Sequence, residues 1–316
     1  MKTADQRVLE QVRLWLDAGE PTWLCTIVET AGASPRPLGS LLGLSARGEL
    51  VGSLSGGCIE DDLLARIRAG ELAADAPVVQ AFGVTAEENE RLGLPCGGRL
   101  RILIEPLTTT HVSGLDGLLA ALDDRRCARR LVDFATGDWR VEPIKQACAL
   151  QLDARQLQQD FGPRLHLLLI GANELARCIA ELATALDYAV TVCDPREDRL
   201  AQWSVAGVDT LRAMPDDAVR QCADDDHSLV ITLTHDPRID DMALMEALTS
   251  RACYVGALGS QRTSDKRRKR LKQLELTDAQ IERLHAPVGL PIGSKSAMEI
   301  AVAVMAQLIQ RRARRQ

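Results

Sequence analysis

Residues 167–170 read Leu-Leu-Leu-Ile and end on Gly171, a short, wholly apolar run of the kind buried on both faces of a parallel sheet. A helix-patterned stretch over 174–187 returns the chain to a second such run, 189–194, which closes on Asp194. Strand, helix and strand in that order make a βαβ unit, because parallel neighbours need a long crossover. Further strands are expected at 228–234 and 253–258, each beside a helical stretch. The second half is therefore predicted to be a doubly wound, Rossmann-like parallel sheet. Reciprocal helix caps at Thr277/Gln280 and Ser296/Glu299 fit this rhythm, the second opening an apolar helix through Ile309.

The first half has a different texture. A helix is expected over 5–17, a β-branched strand over 23–30, then a turn-rich link over 31–39. Strand-like segments 40–46 and 49–55 flank Arg47-Gly48, a hairpin signal. More strands are expected at 78–83, 100–107 and 130–136, a mixed order that suits an α+β domain. Residues 153–163 carry the boundary, so the fold class is α/β with an N-terminal α+β domain over 1–155 and a Rossmann-like domain over 164–316.

With 316 residues and 46% hydrophobic content, the chain can bury two sizeable cores. No apolar run is long enough to span a bilayer, and the opening residues lack the apolar core of a secretion signal, so a cytoplasmic protein with no membrane contact is expected. Nine cysteines, an odd number without regular spacing, argue for reduced thiols over a disulfide framework. No Cys-x-x-Cys pair occurs, which argues against structural zinc. A net charge of −6 argues against a nucleic-acid partner. Two basic runs, Lys266 to Arg270 and Arg311 to Arg315, read as a solvated helix face and a terminal tail. The sharper alternative for the first run is a phosphate or partner contact.

Two segments carry more chemistry than packing requires. Gly52-Ser53-Leu54-Ser55-Gly56-Gly57-Cys58-Ile59-Glu60 and Leu94-Pro95-Cys96-Gly97-Gly98 each set one thiol beside two glycines. A glycine pair lets the backbone bend and approach a ligand, and the cysteine brings a soft, oxidisable sulfur to the same place. Cys58 falls where a strand pattern gives way to a helix, so it is expected at a helix N-terminus, where the dipole favours a thiolate. Glu60, at the same helix start, is expected to tune Cys58 or hydrogen-bond a ligand.

In the second half, Asp194 lies about 20 residues beyond the Gly171 turn, where a dinucleotide fold places its ribose-binding carboxylate. The turn itself, Gly171-Ala172-Asn173-Glu174-Leu175-Ala176, has Asn for the second glycine and a charge after it, which counts against plain NAD or NADP. Other segments at the carboxyl edge supply polar candidates: His235 and Asp236 after one strand, and Gly256, Gly259, Ser260 and Arg262 around the next. Arg262 would offer a planar, bidentate charge to a phosphate or a pterin.

Taken in order, Gly52 to Glu60, Gly93 to Gly98, Thr234-His235-Asp236, Tyr254 to Ser260 and His285 to Gly293 resemble the XdhC/CoxI family over nearly the whole chain. That resemblance implies an accessory protein for molybdenum hydroxylases such as xanthine dehydrogenase. Such a protein binds the molybdenum cofactor, in its bare or cytosine dinucleotide form, holds it for sulfuration by a cysteine desulfurase and passes it to an apo-hydroxylase. It further implies a homodimer and no turnover of its own, hence no catalytic residue. Carried onto this chain, the cofactor-proximal group is Gly56, Gly57, Cys58, Glu60, Cys96, Gly97 and Gly98, with Cys58 and Cys96 as candidate metal ligands. Gly171, Asp194, His235, Asp236, Gly256, Gly259, Ser260 and Arg262 would line the Rossmann side. The competing readings are an NAD(P)-dependent oxidoreductase and a sulfur-transfer enzyme with Cys58 as nucleophile.

Overall fold

A computed structural model describes residues 2–32, 36–73, 75–85, 88, 99–234 and 236–313. The chain divides into two compact units, one of Lys2–Pro163 and one containing Arg164–Gln316. Cys96, Gly97, Gly98 and His235 lie outside the described residues.

The first unit is built on a five-stranded antiparallel sheet, order β3-β2-β1-β5-β4. The strands are β1 Thr22–Ala31, β2 Leu41–Ser45, β3 Leu50–Gly52, β4 Val78–Phe82 and β5 Arg99–Leu107. Alternation along β1 sends Leu24 to one face and Cys25 and Ile27 to the other. Helix α1, Ala4–Asp17, capped by Thr3 and Gln6 reciprocally, lays Val8, Leu9 and Val12 on the Leu24 side. Helix α2, Cys58–Ala69, lays Ile59 and Leu63 on the opposite side. The expected hairpin forms, although its second strand stops at Gly52 and hands residues 53–57 to a loop.

A second antiparallel sheet follows helix α3, Val112–Asp123. It contains β6 Cys127–Asp133, β7 Trp139–Ile144, β8 Gln151–Leu152 and β9 Gln156–Phe161, in the order β7-β6-β9-β8. Three of these strands stand where the sequence reads as loop and linker, because each turns a largely polar face outward. Arg130 joins this sheet to the first: it is fully buried, its Nη1 donates to Glu105 of β5 at 3.1 Å, and its Nη2 donates to Gln159 at 2.7 Å and Thr26 at 3.2 Å. Trp139 donates its ring N–H to the same carboxylate at 2.8 Å and lies 4.4 Å under the guanidinium. Burial alone would raise the Glu105 carboxyl and lower the Arg130 guanidinium, and each charge opposes that shift in the other.

The second unit is a six-stranded, all-parallel sheet, order β12-β11-β10-β13-β14-β15. Its strands are β10 His166–Ile170, β11 Ala189–Cys193, β12 Asp209–Leu211, β13 Ser228–Thr232, β14 Tyr254–Ala257 and β15 Leu284–His285. The first three strands run out one way from β10 and the last three run the other way, which is the Rossmann order. Both faces are covered, as the apolar runs require. Leu167 and Leu169 pack with α4, Glu174–Ala185, and with α10, Ala297–Ala313; Leu168 and Ile170 pack with α6, Pro215–Cys222, and α7, Pro237–Thr249. No helix among the described residues is long and apolar enough to cross a membrane.

The basic run at 266–270 serves the fold. It lies on α8, Gln261–Gln273, where Arg267 is buried and donates to Asp240 at 2.8 Å and to the Leu258 carbonyl at 2.9 Å. Arg270 pairs with Asp241 at 2.7 Å. The helix is thus fastened to α7 by its charges and is not simply a solvated face.

Removing one member of the pair between the two sheets should cost far more than removing both. Arg130→Ala is expected to lose about 3–5 kcal/mol, since it strands a buried carboxylate, whereas Arg130→Met with Glu105→Leu should lose much less. Urea unfolding of the three proteins measures the difference.

Candidate functional site

In the first unit the candidate site is the loop between β3 and α2. Glu60 does not face outward from it. The side chain is 4% exposed, and both carboxylate oxygens are taken by the loop it follows. Oε1 accepts from the Ser53 hydroxyl at 2.9 Å and from the N–H groups of Leu54 at 2.7 Å, Ser55 at 3.0 Å and Gly56 at 3.3 Å. Oε2 accepts from the Gly57 N–H at 3.0 Å and from the Ser55 hydroxyl. Burial would raise this carboxyl, but the Ser55 hydroxyl and the N–H groups of Ser55 and Leu54 outweigh it and hold the pKa down at about 2. The expected contact of Glu60 with a ligand gives way to a different job, which is to fold the loop.

That loop runs through Gly56 at φ +93° and Gly57 at φ +148°, conformations that L side chains rarely adopt. A Cβ at either glycine would meet nothing within 4 Å, so the glycines are there for backbone shape and leave open space in front of them. Cys58 then begins α2, as its position in the sequence predicts, with Gly57 as the N-cap, and its thiol is exposed. Cys25, on β1 in the core beneath α2, contrasts with it: burial pushes that thiol well up. The arrangement offers a soft sulfur at a helix start, beside a bare glycine backbone. Among the described residues no group of three or more His, Cys, Asp or Glu side chains is placed to hold a metal ion.

In the second unit, Gly171 ends β10 at φ +106°, and a Cβ there would lie 2.6 Å from the Thr234 methyl. Only glycine allows the ends of β10 and β13 to approach so closely. Beside them opens a cavity of about 480 Å³, lined by Ala172, Asn173, Arg196, Arg199, Thr234, Asp236 and Pro237. It sits at the carboxyl edge, where the strand order reverses, the usual place for a ligand in such sheets. Of the predicted residues, Gly171, Asp194 and Asp236 come together at this edge.

Asn173 is the helix cap. Its Oδ1 accepts from the Ala176 N–H at 2.9 Å and its Nδ2 donates to the Leu233 carbonyl at 2.9 Å. Glu174 turns away to pair with Arg177. Asp194 is fully buried: Oδ1 accepts from Arg196 N at 3.0 Å and Nε at 2.8 Å, and Oδ2 from Ala172 N at 3.0 Å and Arg196 Nη2 at 2.8 Å. Burial would raise its carboxyl, yet the Arg196 guanidinium and these N–H groups keep it below the ordinary carboxylate range.

The remaining predicted residues stand apart from the cavity lining. Gly256 is in the middle of β14, where a Cβ would collide with Tyr254 and Val288 at 2.9 Å. Gly259 lies against Thr263, and Ser260 caps α8 by accepting from the Thr263 N–H at 3.2 Å. Arg262 is exposed on the first turn of that helix. Arg196 and Arg199 line the cavity although no sequence motif singles them out. Two arginines within five residues of a strand-end aspartate are the signal that could have found them.

The same two sites fall within regions shared with known proteins. The family model described as "XdhC and CoxI family" matches residues 15–83, and the one described as "XdhC Rossmann domain" matches 167–308. The chain is 24% identical to a Bacillus subtilis protein named as a probable xanthine dehydrogenase subunit, covering 95% of this chain and 96% of that one. It is 26% identical to the molybdenum cofactor insertion chaperone PaoD of Escherichia coli, over 93% and 84%. Its fold is shared with a crystal structure described as a xanthine dehydrogenase from Bacillus halodurans. The TM-score there is 0.76 at 22% identity, covering 99% of this chain and 97% of that chain.

Because the Glu60 carboxyl is lowered in the folded protein, the stability it lends is complete above the ordinary value of 4.5 and is lost as pH falls toward about 2. Glu60→Gln should remove about 1.5–3 kcal/mol at neutral pH, the worth of hydrogen bonds to a charged group, and flatten that acid limb. Urea midpoints between pH 2 and 7 for the two proteins check both statements.

Proposed function

The chain belongs to the XdhC and CoxI family, and from that premise we propose that it is an accessory protein that carries the molybdenum cofactor to an apo-hydroxylase. The observation that carries this reading is the exposed Cys58 thiol at the start of α2, beside the open glycine backbone of Gly56 and Gly57. Molybdenum in this cofactor is bound by soft dithiolene sulfur, so a thiolate is the side chain best matched to it. Here the cofactor is cargo, and the name of one relative, a molybdenum cofactor insertion chaperone, agrees with that role. Cys96, with Gly97 and Gly98, is the second proposed contact.

In this reading the protein lowers no chemical barrier. Cys58 holds the cargo through sulfur, the glycines let it approach the backbone, and Glu60 keeps the loop in the shape that points the thiol outward. Sulfuration while the cofactor is held would be performed by a cysteine desulfurase, with transfer to the hydroxylase afterwards. A cytoplasmic homodimer suits the encounter with both partners.

Protein produced in cells that make the cofactor, and purified without oxygen, should retain molybdenum. Cys58→Ser should lower the metal content roughly tenfold, since a hard hydroxyl replaces a soft donor, and should lower activation of the apo-hydroxylase with it. Metal analysis and the activation assay are read together; equal molybdenum and equal activation in both proteins would overturn the proposal.

A further inference from the structure

We infer that the cavity at the carboxyl edge of the parallel sheet is a phosphate site, in which Arg196 and Arg199 receive the phosphate ester of a nucleotide or pterin. The inference goes beyond the carrier reading and stands on the geometry of the C-terminal unit alone.

The first observation is what the cavity does not offer. In a dinucleotide fold, the acid at the end of the second strand accepts hydrogen bonds from ribose hydroxyls. Here that acid is Asp194, and it has no exposed surface and two bonds on each oxygen. A ribose diol therefore finds no acceptor there. Two donors of the glycine turn are taken as well, because the Ala172 N–H is given to Asp194 and the Ala176 N–H to Asn173. Those two donors are already committed when a pyrophosphate arrives.

The second observation is what stands in their place. Arg196 reaches back to Asp194 through Nε and Nη2 and lines the cavity, and its Nη1 makes no hydrogen bond among the described residues. Arg199 lines the same cavity, and its ion pair is a long one, from Nε to Asp198 at 3.9 Å. The acid in the lining, Asp236, is engaged by its neighbour, accepting from Arg238 N at 3.0 Å, Nε at 3.1 Å and Nη2 at 2.9 Å. The cavity thus shows guanidinium where a diol site would show carboxylate. An arginine beside this strand end is how dinucleotide folds accommodate a phosphate carried on the ribose, and planar guanidinium donors match its oxygens.

The test uses full-length, metal-free protein and isothermal titration with ADP-ribose, 2′-phospho-ADP-ribose and a pterin monophosphate. The phosphorylated ribose should bind roughly tenfold tighter than its unphosphorylated twin, the worth of one charge-assisted contact, with the advantage shrinking as salt rises. Arg199→Ala should bring the two close to equality. That side chain is exposed, so circular dichroism should be unchanged. Tighter binding of the pterin phosphate would assign the ester to a pterin, and tighter binding of the adenine compound would assign it to a nucleotide. Equal affinity for the two ADP-riboses together with no binding of the pterin phosphate below millimolar, or an Arg199→Ala protein that binds the preferred phosphate probe as tightly as the parent, would each overturn the inference. Loss of molybdenum binding with these affinities intact would fault the carrier reading alone.

Discussion

The thiol loop of the first unit depends on one inward-turned acid. A carboxylate moved out of water is costly unless hydrogen bonds replace its hydration, and Glu60 is given six of them by the residues just ahead of it. Those bonds satisfy N–H groups that a tight, non-repetitive loop would otherwise leave bare, and they hold the chain through two glycine conformations until α2 can begin. Cys58 is outward because Glu60 is inward. The second unit repeats the device with Asp194, which ties the Gly171 turn to the end of β11 and keeps its charge away from the cavity.

The Rossmann half is legible because its strands are buried on both faces and therefore appear as unbroken apolar runs. Leu167 to Ile170 and 228–232 could be little else. Strands β7 to β9 are not legible. They alternate polar with apolar residues, and Arg130 and Gln159 look like surface groups when they are the buried connection between two sheets. Their partners, Thr26 and Glu105, lie far away in sequence, so no local pattern announces them.

At the candidate site, spacing finds positions but not hydrogen bonds. The chain order puts Gly171, Asp194 and Asp236 at one edge of the sheet. Whether Asp194 faces a ligand depends on the direction taken by Arg196 two residues on, and spacing does not contain that. Glu60 looks like a ligand-facing group because it lies beside Cys58. The run Ser53-Leu54-Ser55-Gly56-Gly57 ahead of it, rich in donors and short of side chains, is the cue that its carboxylate folds backward. The basic run on α8 misleads for a related reason: charge composition does not say that Asp240 and Asp241 wait on the adjoining helix.

The contrast between Cys58 and Cys25 has a chemical consequence. Cys25 is sealed in the core, where oxidants do not reach it. Cys58 stands unshielded, and peroxide can convert such a sulfur to sulfenic acid and, with more exposure, to irreversible sulfinate. An oxygenated sulfur is a poor donor to a soft metal centre. A thiol so placed keeps its soft-donor character only while its surroundings stay reducing, whereas the sealed Cys25 is indifferent to them.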